Sequence, residues 1–423
     1  MENQKVRWNF GMTGKMFVIG GLMVLVWIAT MLVFALTEER ENRQLVVQDE
    51  ISRGWGPEQN IGGPFLVYPY SRSVINANPP RSVTEYLVVR PTKLVSKADF
   101  VPEVRSRGIF ETVVYKSLVT FDANFAPPTV PVGVVLQRPF LFIPSDFSAR
   151  PTKILLAMDD TTVTPESRTD LSQEGIGFNL PTVDVRQGHL ITLSFELKGS
   201  GSFEIDPSGL ENEVNFSSPW NEVSFSGQAL PDSREIDEKG FNAFWQVTHD
   251  EEVQIVTSVL ASEPSEGVGV KFFQGSDLYT QINRTLKYSI LFIALTFIAF
   301  FMFEILSGLR VHPFQYVLVG AAIALFYLLL LSLAEIIGFL PAYSIAALVV
   351  VVMISTYSAK VLKTSKRAST IASLLVTAYL LLYANLLLEE WALLFGSVVL
   401  TLVLASLMYL TRNIDWYSIK NSS

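Results

Sequence analysis

Residues 16–36 read MFVIGGLMVLVWIATMLVFAL, a run of 21 residues without a charged side chain. About 20 apolar residues in a helix are needed to cross a hydrocarbon core of ~30 Å. Glu38, Glu39 and Arg40 follow almost directly, with no small-residue cleavage pattern before them. Such a run is typical of an uncleaved signal anchor rather than a cleaved signal peptide. We therefore predict a transmembrane helix at 16–36, preceded by a short N-terminal segment, 1–15.

A second apolar block follows Lys287 and predicts a C-terminal bundle of five transmembrane helices. Charged residues or prolines separate its runs, and a polar segment, 411–423, follows the last one. Every run has the length that a membrane helix needs. The predicted helices are 288–309, 314–334, 342–359, 369–388 and 391–410.

The positions of lysine and arginine predict how these helices are oriented. Outside 38–287 the chain has ten basic residues, and all ten lie on one side if the N-terminus is cytoplasmic. The short loops on the other side then carry only Glu335, Glu389 and Glu390. Because basic residues are retained on the cytoplasmic side, we predict that both termini are cytoplasmic and that 38–287 is external.

Residues 38–287 form the predicted external domain, which is mainly β. The whole chain has a net charge of −8, of which this domain holds −12 and the remainder +4. From 61 to about 273, short β-branched and aromatic runs alternate with Gly, Pro, Asn and Asp, as in a domain of many strands. The charge becomes strongly acidic after residue 150, which suggests two β-sandwich-like modules, 56–150 and 151–273. Residues 37–55 are predicted to continue the first helix.

The composition also limits the chemistry available to this mixed α and β membrane protein. There is no cysteine, and the three histidines are His189, His249 and His312, so thiolate sites and histidine-rich metal sites have too few members. No P-loop, H-E-x-x-H or G-x-S-x-G pattern occurs. The acidic domain has no basic stripe for nucleic acid. We expect a non-enzymatic protein without metal or cofactor, whose Asp159-Asp160 pair and acidic run 232–240 form turns.

Polar residues in or beside the predicted spans are the candidates for function, since charge inside a membrane is costly. Glu304 is either part of a proton or ion relay or a polar hinge, or a residue near the interface that snorkels or fixes a helix end by pairing with Arg310. Asn385 is expected to form an interhelical hydrogen bond. The full candidate set is Glu304, Arg310, His312, Gln315, Glu335 and Asn385.

Several segments together resemble the bacterial inner-membrane CreD family, also called cell envelope integrity proteins. The membrane block contains KYSILFI at 287–293, FFMFE at 300–304 and RVHPFQYVLVG at 310–320. The external domain contains GGPFLVYP at 62–69. Residues 217–225 read SSPWNEVSF and lack the Pro-His-Pro element expected after the tryptophan. The resemblance extends over nearly the whole chain and includes the six-span layout.

This resemblance implies a bacterial inner-membrane protein associated with envelope integrity and, in the family, with control by a sensor kinase and response regulator pair. It implies no reaction and no catalytic residues. We therefore predict a protein that acts through a periplasmic β domain, with the lipid bilayer and a periplasmic or envelope protein as partners. The oligomeric state stays open. A transporter or flippase that uses polar residues of the bundle, and a membrane partner in stress sensing, are the alternatives.

Overall fold

The computed structural model describes residues 12–74, 81–145, 150–168, 175–182, 184–250, 254–257, 267–273, 278–307, 311–361, 365–388 and 391–412. The chain divides into two compact units. A helical unit comprises Met1–Arg43 and Ser276–Ser423, and a β unit comprises Gln44–Gly275.

The helices follow the apolar runs of the sequence closely. Within the described residues five of them are long and apolar enough to cross a membrane, or six if α2 and α3, which are bent by 43° at their junction, form one span. The helices are α1 (Met12–Trp55), α2 (Leu278–Lys287), α3 (Ser289–Ser307), α4 (Pro313–Ile337), α5 (Phe339–Val361), α6 (Ser365–Leu387) and α7 (Ala392–Thr411).

Two helix boundaries differ from the predicted ones. The residue range predicted for the external domain, 38–287, includes α2, but α2 belongs to the helical unit. Its buried residues Tyr279, Ile282 and Leu286 recur at helical spacing, so this short polar helix still has an apolar face to pack. Gly338 alone separates α4 from α5, and its φ of +79° is a conformation that glycine adopts without steric cost.

Helix α1 extends beyond the predicted span and confirms the predicted continuation through 37–55. In the β unit its last turns lie against the β sheet. Trp55 donates its indole N–H to the carbonyl of Tyr115 at 3.1 Å, and Glu50 pairs with Arg107 at 2.6 Å.

The β unit is built from strands that the β-branched and aromatic runs predict. Within the described residues these are β1 (Gln59–Gly62), β2 (Phe65–Val74), β3 (Arg81–Val89), β4 (Lys93–Arg107), β5 (Phe110–Phe125), β6 (Phe140–Pro144), β7 (Thr152–Met158), β8 (Thr161–Val163), β9 (Glu166–Arg168), β10 (Gly175–Asn179), β11 (His189–Ser200), β12 (Ser202–Asp206), β13 (Glu211–Ser218), β14 (Val223–Gly227), β15 (Ser233–Asp237), β16 (Gly240–Thr248), β17 (Gln254–Thr257) and β18 (Val268–Phe272).

The strands form three sheets. The largest has eight strands in the order β15-β16-β13-β4-β5-β11-β7-β8. A six-stranded sheet has the order β17-β3-β2-β6-β10-β9, and a four-stranded sheet the order β1-β12-β18-β14. Most neighbours are antiparallel, but β4 pairs with β13 in parallel, with Lys93 opposite Glu211.

The predicted modules 56–150 and 151–273 do not correspond to separate sheets. Strand β5, before residue 150, pairs along its length with β11, and β6 pairs with β10. The change in charge near residue 150 reflects the composition of the surface, which carries no information about which strands pair.

An aromatic core joins the eight-stranded sheet to the four-stranded sheet in a sandwich. The Phe100 ring of β4 lies 5.0 Å from Phe203 of β12 and 5.2 Å from Phe272 of β18, between ring centroids. Trp245 of β16 is fully buried and lies 5.0 Å from Phe216. Because β11 buries every second residue along most of its length, its other side chains lie on the outer face of the sandwich, as its alternating sequence predicts.

Candidate functional site

Glu304 lies near the end of α3 and is almost fully buried, with 8% of its surface exposed. Its Oε1 accepts a hydrogen bond from the backbone N–H of Val311 at 3.1 Å. Its Oε2 accepts one from the Tyr316 hydroxyl at 2.9 Å. The two donors lie on either side of the start of α4, so the carboxylate ties the end of α3 to the first turns of α4.

His312 and Gln315 form the N-terminal cap of α4. The Nδ1 of His312 accepts from the Phe314 N–H at 3.2 Å, and the Oε1 of Gln315 accepts from the His312 N–H at 3.2 Å. This reciprocal arrangement is a capping box, with Pro313 at the first helical position. It satisfies backbone donors that have no partner within the helix. Arg310, the predicted ion-pair partner of Glu304, lies outside the described residues.

Glu335 lies near the other end of α4. The hydroxyl of Tyr279 donates to its Oε1 at 3.0 Å, and the Nε of Arg40 approaches the same oxygen to 3.9 Å. A second polar contact beside it joins α1 to α2, because Asn283 donates from Nδ2 to Glu41 Oε2 at 3.0 Å. Helices α1, α2 and α4 therefore meet at this cluster.

Asn385, on α6, is buried, and its Oδ1 has no hydrogen-bond partner among the described residues. It borders a cavity of about 60 Å³, and the residues that α3 contributes to the cavity wall, including Leu291 and Leu295, are apolar. The interhelical hydrogen bond predicted for this residue is thus not formed through Oδ1. Nearby, Tyr343 donates its hydroxyl to the carbonyl of Tyr379 at 2.7 Å.

The candidate residues therefore fall into separate places rather than one site. Glu304, His312 and Gln315 meet at the start of α4, Glu335 lies near its end, and Asn385 borders the cavity next to α7. Tyr316, which contacts Glu304, and Glu335 lie at opposite ends of α4, separated by ~28 Å along the helix axis at 1.5 Å per residue. In the part of the chain that the structure describes, no group of three or more metal-ligating side chains comes together.

His189 and Asp159 form the one histidine–carboxylate pair described in the β unit. The Nδ1 of His189 lies 2.7 Å from Asp159 Oδ2, and its Nε2 lies 3.1 Å from the Asp184 carbonyl. Burial raises the pKa of Asp159, but hydrogen bonds from His189 and the Leu190 N–H outweigh it, and the net pKa lies below its ordinary value. Asp159 and Asp160 both have positive φ and form the predicted turn, so the pair fixes a hairpin between β7 and β8.

The sequence did not identify the residues that partner the two acids. Tyr316 is one turn into α4, and a tyrosine in an apolar helix is common enough that it carries no signal by itself. Tyr279 and Arg40 are far from Glu335 in sequence. Tyr279 recurs at helical spacing with Ile282 and Leu286 on the buried face of α2, which is the signal that could have indicated it, whereas Arg40 is exposed and gave none.

Comparison with known proteins gives a consistent assignment. The family model described as inner membrane protein CreD matches residues 11–417. Inner membrane protein CreD of Escherichia coli strain K12 is 33% identical over an alignment of 439 residues, which covers 96% of this chain and 93% of that protein. These matches cover both the helical unit and the β unit. The chain therefore belongs to the CreD family of inner membrane proteins.

Proposed function

We propose that this chain is a non-enzymatic membrane scaffold that supports the integrity of the cell envelope by holding its β unit outside the membrane, where it contacts envelope components. The observation that carries the proposal is the engagement of Glu304, whose two oxygens accept from Val311 and Tyr316. An acid held by two donors at a helix junction serves to fix the helices. A proton or ion carrier would need that carboxylate to change partners.

The orientation in this proposal has both termini in the cytoplasm and 38–287 in the periplasm. Its second span is α3, which α2 precedes on the periplasmic side, and its support is the one-sided distribution of the ten basic residues outside 38–287. The natural chain has no cysteine, so an introduced thiol is unique. A membrane-impermeant maleimide should label Val132→Cys in intact spheroplasts and Lys360→Cys only after lysis. Labelling of Lys360→Cys in intact spheroplasts would contradict the orientation.

The central experiment is complementation by a matched pair of variants in a strain that lacks the gene. Glu304→Gln keeps a hydrogen-bond acceptor for the Val311 N–H but cannot gain and lose a proton as a carboxylate does. Glu304→Leu has neither an acceptor nor a titratable group. On the scaffold proposal, Glu304→Gln restores tolerance to detergent and bacteriocin as the natural chain does, and Glu304→Leu reduces the amount of inserted protein. A Glu304→Gln variant that inserts at the normal level but fails to restore tolerance would refute the scaffold.

A second candidate function, transport through the helical unit, is favoured by one observation. Asn385 has an unpartnered Oδ1 beside a cavity of about 60 Å³, and a carboxamide there can donate to or accept from a small polar ligand. A transporter that uses this amide would lose activity in Asn385→Leu. A scaffold would tolerate that change, because the substitution removes the unpaired atom from an apolar cavity. Complementation by Asn385→Leu separates the two functions.

A further inference from the structure

The outer face of the eight-stranded sheet carries a groove of about 520 Å³ that crosses β4, β13, β16 and β15. Strand register arranges the side chains along it in two cross-strand rows. The first row is Lys97, Asn215, Phe244 and Ser233, and the second is Asp99, Ser217, Asn242 and Glu235. Four adjacent strands span ~14 Å at the usual strand spacing. The groove is therefore wide enough for several linked rings of a ligand.

Most of the hydrogen-bonding capacity in this groove is unused by the protein. Within the described residues, the Ser217 hydroxyl donates to Asp99. The side chains of Lys97, Asn215 and Asn242 have no such partner among the described hydrogen bonds and ion pairs. On the same face beyond the groove, Lys93 and Glu213 pair at 2.7 Å. Opposite charges on this face can pair, so the groove differs from its surroundings in offering free donors and acceptors.

Charge and shape together limit what would fit. Lys97 and Arg234 balance Asp99 and Glu235, whereas residues 38–287 as a whole carry −12. A polyanion would be repelled by the domain and would gain no net attraction in the groove. Carboxamides both donate and accept hydrogen bonds, as sugar hydroxyls do. The ring of Phe244 lies in the same row as Asn215 and is half-buried. It offers a flat apolar surface to the C–H face of a sugar ring.

We infer that this groove binds an uncharged glycan chain, with Asn215 and Asn242 bonding hydroxyl or acetamido groups and Phe244 contacting a ring face. This inference rests on the proposed function for the location of the β unit outside the membrane, and it names the class of envelope component that the unit contacts. Binding itself is a property of the purified protein and can be measured without the cellular assay.

The test uses the full-length protein in lipid nanodiscs, because detergents with sugar headgroups would compete for the groove. The probes are the N-acetylglucosamine tetramer and maltotetraose, with binding measured by calorimetry. We expect saturable binding of at least one probe. Asn215→Ala and Asn242→Ala should each raise Kd by about threefold to tenfold, the usual effect of losing one net hydrogen bond.

Ser194→Ala is the matched control, because Ser194 lies on the same outer face, opposite Thr120 on β5 and beyond the groove, and it should bind as the natural chain does. Each variant is checked for an unchanged unfolding midpoint. No binding of either probe, or equal Kd values for the two asparagine variants and the natural chain, would overturn the inference. A change of oligomeric state in Asn242→Arg, without sugar binding by the natural chain, would instead assign the groove to a second copy. If the natural chain binds neither sugar while Glu304→Gln still complements, the glycan site alone is refuted. If the natural chain binds sugar while an inserted Glu304→Gln variant fails to complement, the scaffold alone is refuted.

Discussion

The helical unit and the β unit use their polar side chains in opposite ways. In the helical unit Glu304 is 8% exposed and both of its oxygens accept hydrogen bonds from groups around the start of α4. On the outer face of the β unit, Asn215 and Asn242 lie in a groove with no side-chain partner among the described contacts. The first arrangement stabilises the fold. The second leaves polar groups available to a ligand.

The difference follows from the surroundings of each group. A buried acceptor without donors costs free energy, since no water replaces the lost bond. A polar side chain on an open sheet face remains hydrated and has no such requirement. Engaged polar residues in the helical unit therefore indicate architecture, and unengaged ones on the β unit indicate a surface that can bind.

The largest effect should come from removing the acceptor at the start of α4. Glu304→Leu removes the acceptor of the hydrogen bonds from the Val311 N–H and the Tyr316 hydroxyl, which should lower the free energy of unfolding of the helical unit by about 2–4 kcal/mol. Denaturant titration in mixed micelles would measure it. Glu304→Gln is the control, with a loss of at most ~1 kcal/mol. A Leu variant as stable as the natural chain would break the comparison.

At the other end of α4, two variants separate a hydrogen bond from an ion pair. Tyr279 is 3% exposed, and Tyr279→Phe removes its bond to Glu335 at a cost of about 1–2 kcal/mol. Arg40 is 46% exposed and 3.9 Å from Glu335, so Arg40→Gln should cost less than ~0.5 kcal/mol. Thermal unfolding of both variants gives the ranking, and the reverse order would show that the ion pair holds the cluster.

The pair formed by Asp159 and His189 should make the stability of the β unit depend on pH. Because the folded pKa of Asp159 lies below its ordinary value of 3.8, the folded state binds fewer protons than the unfolded state. Its contribution is therefore present above about pH 4 and is lost as pH falls through the folded pKa. Solvent screening of a side chain that is 51% exposed keeps the effect below ~1 kcal/mol.

Asp159→Asn tests this pair with little backbone strain, since asparagine tolerates the positive φ of 47°. The variant should be slightly less stable than the natural chain at neutral pH. Below about pH 4 its free energy of unfolding should fall less steeply as the pH is lowered. The measurement is the urea midpoint of the β-sheet signal as a function of pH. An unchanged slope would assign the acid sensitivity to other carboxylates.

The smallest effect sharpens the comparison within one sheet face. Lys93 pairs with Glu213 at 2.7 Å, and this hydrogen bond raises its pKa, whereas Lys97 has no described partner. Lys93→Gln should lower the melting midpoint slightly at low salt and not at high salt, because exposed pairs are screened. Lys97→Gln should leave the midpoint unchanged at both. Equal effects would show that the groove lysine is also engaged in the free protein.

Periodicity and length made the helices and strands predictable. The runs 16–36 and 314–334 lie within α1 and α4, and the alternation in β11 indicated its two faces. These signals are local, since buried positions recur every two residues in a strand and every three to four residues in a helix. The pairing of β4 with β13 across roughly 120 residues has no local signal, which is why the division at residue 150 did not match the sheets.

The candidate site was predictable in its acids and not in their partners. A glutamate in an apolar run is costly enough to be noticed from sequence, so Glu304 was identified. The expected ion-pair partner, Arg310, lies outside the described residues, so that pairing stays a prediction. The described partners, the Val311 N–H and Tyr316, were not expected from the sequence. Which group reaches a carboxylate depends on how the chain turns between two helices, and backbone donors are identical in every sequence.

The parallel pairing of β4 with β13 has a consequence for biosynthesis. The hairpin of β4 and β5 is complete soon after it leaves the ribosome, but the strand that covers its other edge is made later. At ~5–20 residues per second, the roughly 120 residues between Lys93 and Glu211 take ~6–24 s. During that interval the edge of β4 is open to pairing with other chains.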